Sequence, residues 1–194
     1  MEQENINGYW VPWRRGQWTP LGVAIKLGDL ETVRWLLENN ASPSKYCTRS
    51  MFIKPLDLAA DGNKAEIVQM LLESDGLRDV SKSNGALHLA ITNRMFNVVK
   101  SFIKKGYDLN ESYLNQTPLG ASLTCGKRKS GDVRLVKLLL EADADVLKPS
   151  KLCLTAYGRG EMTDLVRVAK AYSKAKCVAL LEASYNAAKH QQWC

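Results

Sequence analysis

A chain of 194 residues that is 45% hydrophobic and 24% charged has room for one domain or one repeat array with a substantial core, and its composition excludes disorder as the dominant state. The formal net charge of +7 admits an anionic partner without choosing one, because the lysines and arginines are spread along the chain and only Arg14-Arg15 and Lys127-Arg128-Lys129 form local runs. No segment approaches the roughly 18 uncharged apolar residues needed to span a bilayer, and MEQENING at the start lacks the basic and apolar regions of a secretory signal, so the expectation is a soluble, intracellular (cytoplasmic) protein.

The first distinctive stretch is WVPWRRGQWTPLG, Trp10 to Gly22, which holds three of the five tryptophans and two adjacent arginines. It ends in TPLG, and that tetrapeptide returns downstream. Four segments align: TPLGVAIKLGDLETVRWLLENNA from Thr19, KPLDLAADGNKAEIVQMLLESDG from Lys54, GALHLAITNRMFNVVKSFIKKGY from Gly85, and TPLGASLTCGKRKSGDVRLVKLLLEADA from Thr117. Their marker leucines, Leu21, Leu56, Leu87 and Leu119, are spaced by 35, 31 and 32 residues. That is the period of a repeat array.

Each copy predicts two helices. The first opens at Thr-Pro, where proline lacks a donor that would go unpaired in the first turn and the threonine can cap it. A polar turn follows: Leu27-Gly28-Asp29, Asp61-Gly62-Asn63, Thr92-Asn93-Arg94, and the longer Gly126 to Gly131. The second helix is marked by apolar residues three and four apart: Val33, Leu36 and Leu37; Ile67, Val68, Leu71 and Leu72; Val98, Val99, Phe102 and Ile103; Leu135, Val136, Leu138 and Leu139. Neither helix buries its apolar face alone, so the pairs must stack.

These motifs resemble the ankyrin repeat, with its TPLHxAA opening, Gly-containing turn and V-x-x-L-L second helix. Gly85-Ala86-Leu87-His88-Leu89-Ala90 and Thr19-Pro20-Leu21-Gly22-Val23-Ala24 carry the closest matches, and the resemblance runs over roughly residues 16 to 150. It implies an all-α solenoid of stacked helix pairs joined by short hairpin loops. The chain departs from the motif where Gly22, Asp57 and Gly120 stand at the histidine position, where Gly85-Ala86 replaces Thr-Pro, and where the fourth copy inserts five residues between its helices. The organisation expected is an N-terminal capping segment and first hairpin loop over 1–18, four repeats over 19–150, and a degenerate fifth repeat with a C-terminal capping helix over 151–194. In that last part Leu165-Val166 is aligned with a second helix, and Ser173 to Gln192 with the cap.

The resemblance also implies a function: a non-enzymatic module that binds a protein partner through its concave face and hairpin tips. Carried over position by position, the family's contact residues fall on Arg15, Trp18 and Lys26 in repeat one, Ile53 and Asp61 in repeat two, Lys82, Asn84 and Asn93 in repeat three, and Tyr113, Gln116 and Thr124 in repeat four. The tri-cationic insertion Lys127-Arg128-Lys129 is a possible accessory loop for an acidic partner. The alternative on the same fold is an inhibitor or immunity-type protein, or a bacterial or viral effector that blocks or recruits a target.

Other readings are weaker. The tryptophans and arginines of the opening stretch suit a cap over the end of the stack, with Trp18 as the best contact residue among them, and direct nucleic-acid binding lacks any accompanying motif. His88 in its LHL context is expected to be structural and His190 solvated. Five cysteines, Cys47, Cys125, Cys153, Cys177 and Cys194, form no CxxC and read as reduced thiols; with two histidines in the chain, no metal site or cofactor is expected. No phosphate-binding loop, HExxH or catalytic triad is suggested by local context.

Overall fold

The computed structural model describes residues 7, 10–13, 16–49, 52–74, 84–124, 132–148, 150–151, 162–163, 165–171 and 175–192. Two compact units emerge, Met1–Leu89 and Ala90–Cys194.

The first unit opens with a β-hairpin of β1 (Val11–Trp13) and β2 (Gly16–Trp18), paired antiparallel with Val11 opposite Trp18. It is followed by α1 (Pro20–Leu27), α2 (Leu30–Glu38), α3 (Pro55–Asp61) and α4 (Ala65–Glu73); α5 (Asn84–Thr92) begins here and ends in the second unit. α1 packs on α2 and on α3, α3 on α4, and α2 on α4. First helices thus stack on first helices and second on second, which encloses Leu21, Ile25, Val33, Leu36, Leu56, Ile67, Val68 and Leu71. Each such side chain contributes roughly 1.5–3 kcal/mol by leaving water.

Local chemistry sets the helix ends. Thr19 caps α1 by accepting from the Gly22 N–H at 3.1 Å, with Pro20 at the first helical position. Gly28 closes the helix at φ 80°, and the Asp29 N–H donates to Ala24 O at 3.0 Å. The same turn recurs at Lys64 N to Ala59 O and at Met95 N to Ala90 O, 2.9 and 2.8 Å, with Asn63 (φ 53°) and Arg94 (φ 56°) in the left-handed region where repeat one uses glycine. Asp29 and Asp132 cap the second helices of repeats one and four, accepting from Thr32 N and Arg134 N at 3.1 and 3.0 Å. Gly62, which the sequence marks as the turn glycine, is at φ −73° and uses none of its conformational freedom.

The second unit contains α6 (Phe96–Lys104), α7 (Pro118–Thr124), α8 (Val133–Glu141), the hairpin β3 (Ser150–Lys151) with β4 (Met162–Thr163), α9 (Leu165–Ala171) and α10 (Ala175–Gln192). Val98, Val99, Phe102, Leu119, Leu123, Leu135, Leu139, Leu165 and Leu181 are buried in it. α9 packs on α7, the first helix of repeat four, and α10 packs on α8 and α9. Leu165-Val166 therefore opens the first helix of the fifth pair, not its second, and the 18-residue α10 holds the second-helix position. The period counted from Leu119 lands on Leu152, whereas the chain enters this helix pair through the β3–β4 hairpin.

Candidate partner-binding surface

Repeat one is entered through the β1–β2 hairpin, and its inner strand is itself flanked. Trp18 forms a bridge with Thr48, the Arg49 N–H donates to Gln17 O at 3.2 Å, and the Arg49 guanidinium donates to Gln17 Oε1 at 3.1 Å. Trp18 is half-buried in this arrangement. Asn7 ties the leading segment down: its amide donates to Asn40 O at 2.9 Å, and its Oδ1 accepts from Ser42 N at 2.6 Å. Asn110 repeats that second bond, accepting from Asp145 N at 2.7 Å over the same separation of 35 residues. Asn7 therefore does for repeat one what Asn110 does for a later repeat.

In the same unit Lys26, in the last turn of α1, and Asp61, at the end of α3, are exposed. Ile53 is half-buried, and its carbonyl accepts from Cys47 N at 2.7 Å. Beside it the loop carries Tyr46 and Phe52, two exposed rings in edge-to-face contact with centroids 5.3 Å apart. Phe52 is 69% exposed and sits at φ 49°. A bulky residue in that region is strained by roughly 1–2 kcal/mol.

The second unit contains the best-defined tip. Tyr113 and Gln116 exchange both backbone hydrogen bonds at 3.0 Å, which leaves a two-residue turn of Leu114 (φ 52°) and Asn115 (φ 62°). Two positive φ values make this the turn that matches strand twist and favours Asn or Gly at both positions. Asn115 fits that preference; Leu114 does not, and it is 75% exposed. Tyr113 is 37% exposed. Gln116 turns inward at 9% exposure, its amide donating to Thr124 Oγ1 at 2.9 Å. Gln116 and Thr124 are thus brought together, and their polar atoms hold the hairpin onto α7. Asn93, just beyond α5, is exposed, and Asn84 is the first residue of α5. Arg15, Lys82, Lys127, Arg128 and Lys129 lie outside the described residues. Phe52 and Leu114 are exposed apolar residues that the repeat motif does not mark; the Leu-Asn pair is the local signal for a turn with an apolar tip.

The positions occupied by histidine in the motif are buried. His88 is held toward its neutral form by burial. Asp57 stands at the same position of repeat two, where burial pushes its carboxyl up to about 6, partly offset by the Lys54 charge and by the Ala86 N–H that donates to it. Burial, with the Asp57 charge adding, pushes the Cys47 thiol up to about 12. A thiol so far from ionisation is not a nucleophile at neutral pH. Among the described residues no three His, Cys, Asp or Glu side chains are grouped as a metal site would require, and no helix is long and apolar enough to cross a membrane.

A family model of ankyrin repeats in three copies matches residues 56–150, and an ankyrin repeat model matches residues 16–47. No curated protein matches the chain at a significant level. The matched segments span about two thirds of the sequence and coincide with the helix pairs α1–α2, α3–α4, α5–α6 and α7–α8: the chain belongs to the ankyrin repeat family.

Proposed function

We propose that the chain is a non-enzymatic protein-binding module that meets its partner with its hairpin tips and the adjoining ends of its first helices. Ankyrin repeats are in general protein–protein interaction modules, which supports the coarse reading. The observation that carries the finer one is the Tyr113–Gln116 hairpin. An aromatic and a leucine stand exposed at its tip, the leucine on strained backbone, while the base of the hairpin is locked by three hydrogen bonds. Strain retained at an exposed apolar position points to use of that side chain, and a rigid base means little ordering entropy is lost on docking. Trp18, Lys26, Asp61 and Asn93 extend the same kind of surface on tips and helix ends of their own units.

Affinity purification with the full chain as bait, read by mass spectrometry and run beside a Trp18→Ala/Tyr113→Ala variant of equal stability, tests this reading. Partners retained by the natural chain and lost from the variant support it; identical captures by both contradict it. A role as inhibitor or effector uses the same surface, and the identity of the captured protein separates those cases.

A further inference from the structure

The second helices of the repeats carry opposite charge in the two units. α2 and α4 hold Glu31, Glu38, Glu66 and Glu73 against Arg34, a formal −3, whereas α6 and α8 hold Lys100, Lys104, Arg134 and Lys137 against Glu141, a formal +3. The whole chain follows suit. Residues 90–194 contain seventeen lysines and arginines against nine aspartates and glutamates, +8, while residues 1–89 contain ten against eleven, −1. The entire excess of positive charge thus belongs to the second unit.

Geometry concentrates part of it. Lys100 and Arg134 are both exposed and converge on one ring, Lys100 Nζ at 5.0 Å and Arg134 Cζ at 5.6 Å from the Phe96 centroid. Ring attraction of about 0.5–1 kcal/mol each at an exposed site holds the two cations there without cancelling their charge. Asp132 takes one edge of the Arg134 guanidinium, Nε donating to Oδ1 at 3.4 Å and Nη2 to Oδ2 at 3.3 Å, while Oδ1 also caps α8, so an incoming carboxylate meets the opposite, Nη1 side of Arg134. Burial acts to raise the Asp132 carboxyl, yet hydrogen bonds from Arg134 and the charges of Arg134 and Arg94 hold it below its ordinary value, which places a third cation in the same field. Lys137 pairs with Glu141 at 3.6 Å, both exposed, so that bond is solvent-screened and leaves Lys137 available.

We propose that the outer face of α6 and α8, centred on Phe96, Lys100 and Arg134, docks an acidic segment of a protein partner. This rests on the reading of the chain as a protein-binding module and adds a second surface to it. A carboxylate arriving beside the Phe96 edge meets an ammonium and a planar guanidinium already positioned, Arg134 offering the donors that Asp132 leaves unused. Nucleic acid fits less well. Its bases need open aromatic faces to stack on, and Phe96 has cations over its ring. A second copy of the chain fits less well too, because molecules of net charge +7 repel one another even where an acidic α2–α4 face is complementary.

The test uses the full chain and a fluorescent decaglutamate peptide, followed by anisotropy at low and high salt. The peptide binds at low salt, binding fades as screening shortens the reach of the charges, and Lys100→Glu/Arg134→Glu weakens it about tenfold or more. Arg34→Glu on α2 leaves it unchanged. Lys104→Gln/Lys137→Gln, which keeps the Phe96 cluster, weakens it less, so the result does not hang on one pair of reversals folding normally. Trp18→Ala/Tyr113→Ala leaves peptide binding intact, so failure of the tip surface and failure of this face are read separately. Equal affinity of the natural chain and the Lys100→Glu/Arg134→Glu variant overturns the proposal. So does tighter binding of a single-stranded DNA decamer that is lost with the same variant, or salt-sensitive self-association in sedimentation equilibrium that the variant abolishes.

Discussion

Gly120 and Ser150 share a space that holds one side chain. A Cβ on Gly120 would stand 2.7 Å from the Ser150 Cβ, and Ser150, 1% exposed, accepts from the Thr117 N–H at 3.2 Å. Gly22 and Cys47 repeat the arrangement, again at 2.7 Å. Two repeats therefore replace the histidine of the motif by glycine and fill the gap from the following loop. Gly120→Ala is expected to cost about 1–3 kcal/mol in urea unfolding through overpacking. Adding Ser150→Gly should recover part of that loss, because it removes the opposing Cβ. Strict additivity of the two changes would show that the residues do not meet.

Leu71 tests the register of repeat two. It is fully buried on α4, and Leu71→Ala should lower stability by about 2–5 kcal/mol through the cavity left behind. An unchanged denaturation midpoint would place Leu71 outside the core.

Asp57 gives the array a pH dependence of defined sign. Its carboxyl titrates at about 6 when folded against a reference of 3.8, so the native state binds the proton more tightly than the unfolded chain. Stability from this group is complete below the reference value, falls as pH rises between roughly 4 and 6, and is flat above. Asp57→Asn keeps an acceptor for the Ala86 N–H and has no charge to bury. The difference in unfolding midpoint between variant and natural chain should grow in the variant's favour across that window; a difference independent of pH would contradict the assignment.

Leu114 predicts a gain. Leu114→Asn places in the left-handed region a residue that tolerates it, and the side chain removed is largely exposed. Stability should rise by up to about 1 kcal/mol, measured by thermal or urea unfolding. A loss of stability would mean that Leu114 packs against something in the free protein.

The helix pairs of repeats one, two and four were legible because three signals coincide at each, the recurring leucine, the Thr or Pro at the helix start and apolar residues three and four apart, while repeat three keeps only the first and the last of them. Thr19, Pro20 and Gly28 each sit where their chemistry places them. Asn63 and Arg94 were not legible as left-handed residues. At Asn63 the adjacent Gly62 carries the stronger intrinsic signal, yet the left-handed residue holds the same repeat position in the first three copies, at Gly28, Asn63 and Arg94. Gln116 reads as a polar tip residue and turns inward, because a hydroxyl eight residues away on α7 satisfies its amide. The fifth helix pair was misaligned because the β3–β4 hairpin lengthens the distance to Leu165, and no leucine-marked Thr-Pro announces it. In the candidate surface, residue type pointed to Trp18 and Tyr113, whereas Phe52 and Leu114 stand out only once their backbone angles are known.

The central claim is that binding resides on the hairpin tips, and calorimetric titration of the partner captured by the natural chain measures it most directly. Trp18→Ala/Tyr113→Ala should weaken the partner's affinity at least about tenfold, or about 1.4 kcal/mol, with little change in melting temperature, since Tyr113 projects from a locked hairpin and Trp18 is only half-buried. Affinity that survives this change but is lost when Lys127, Arg128 and Lys129 are neutralised would move the binding site to the inserted loop and contradict the account.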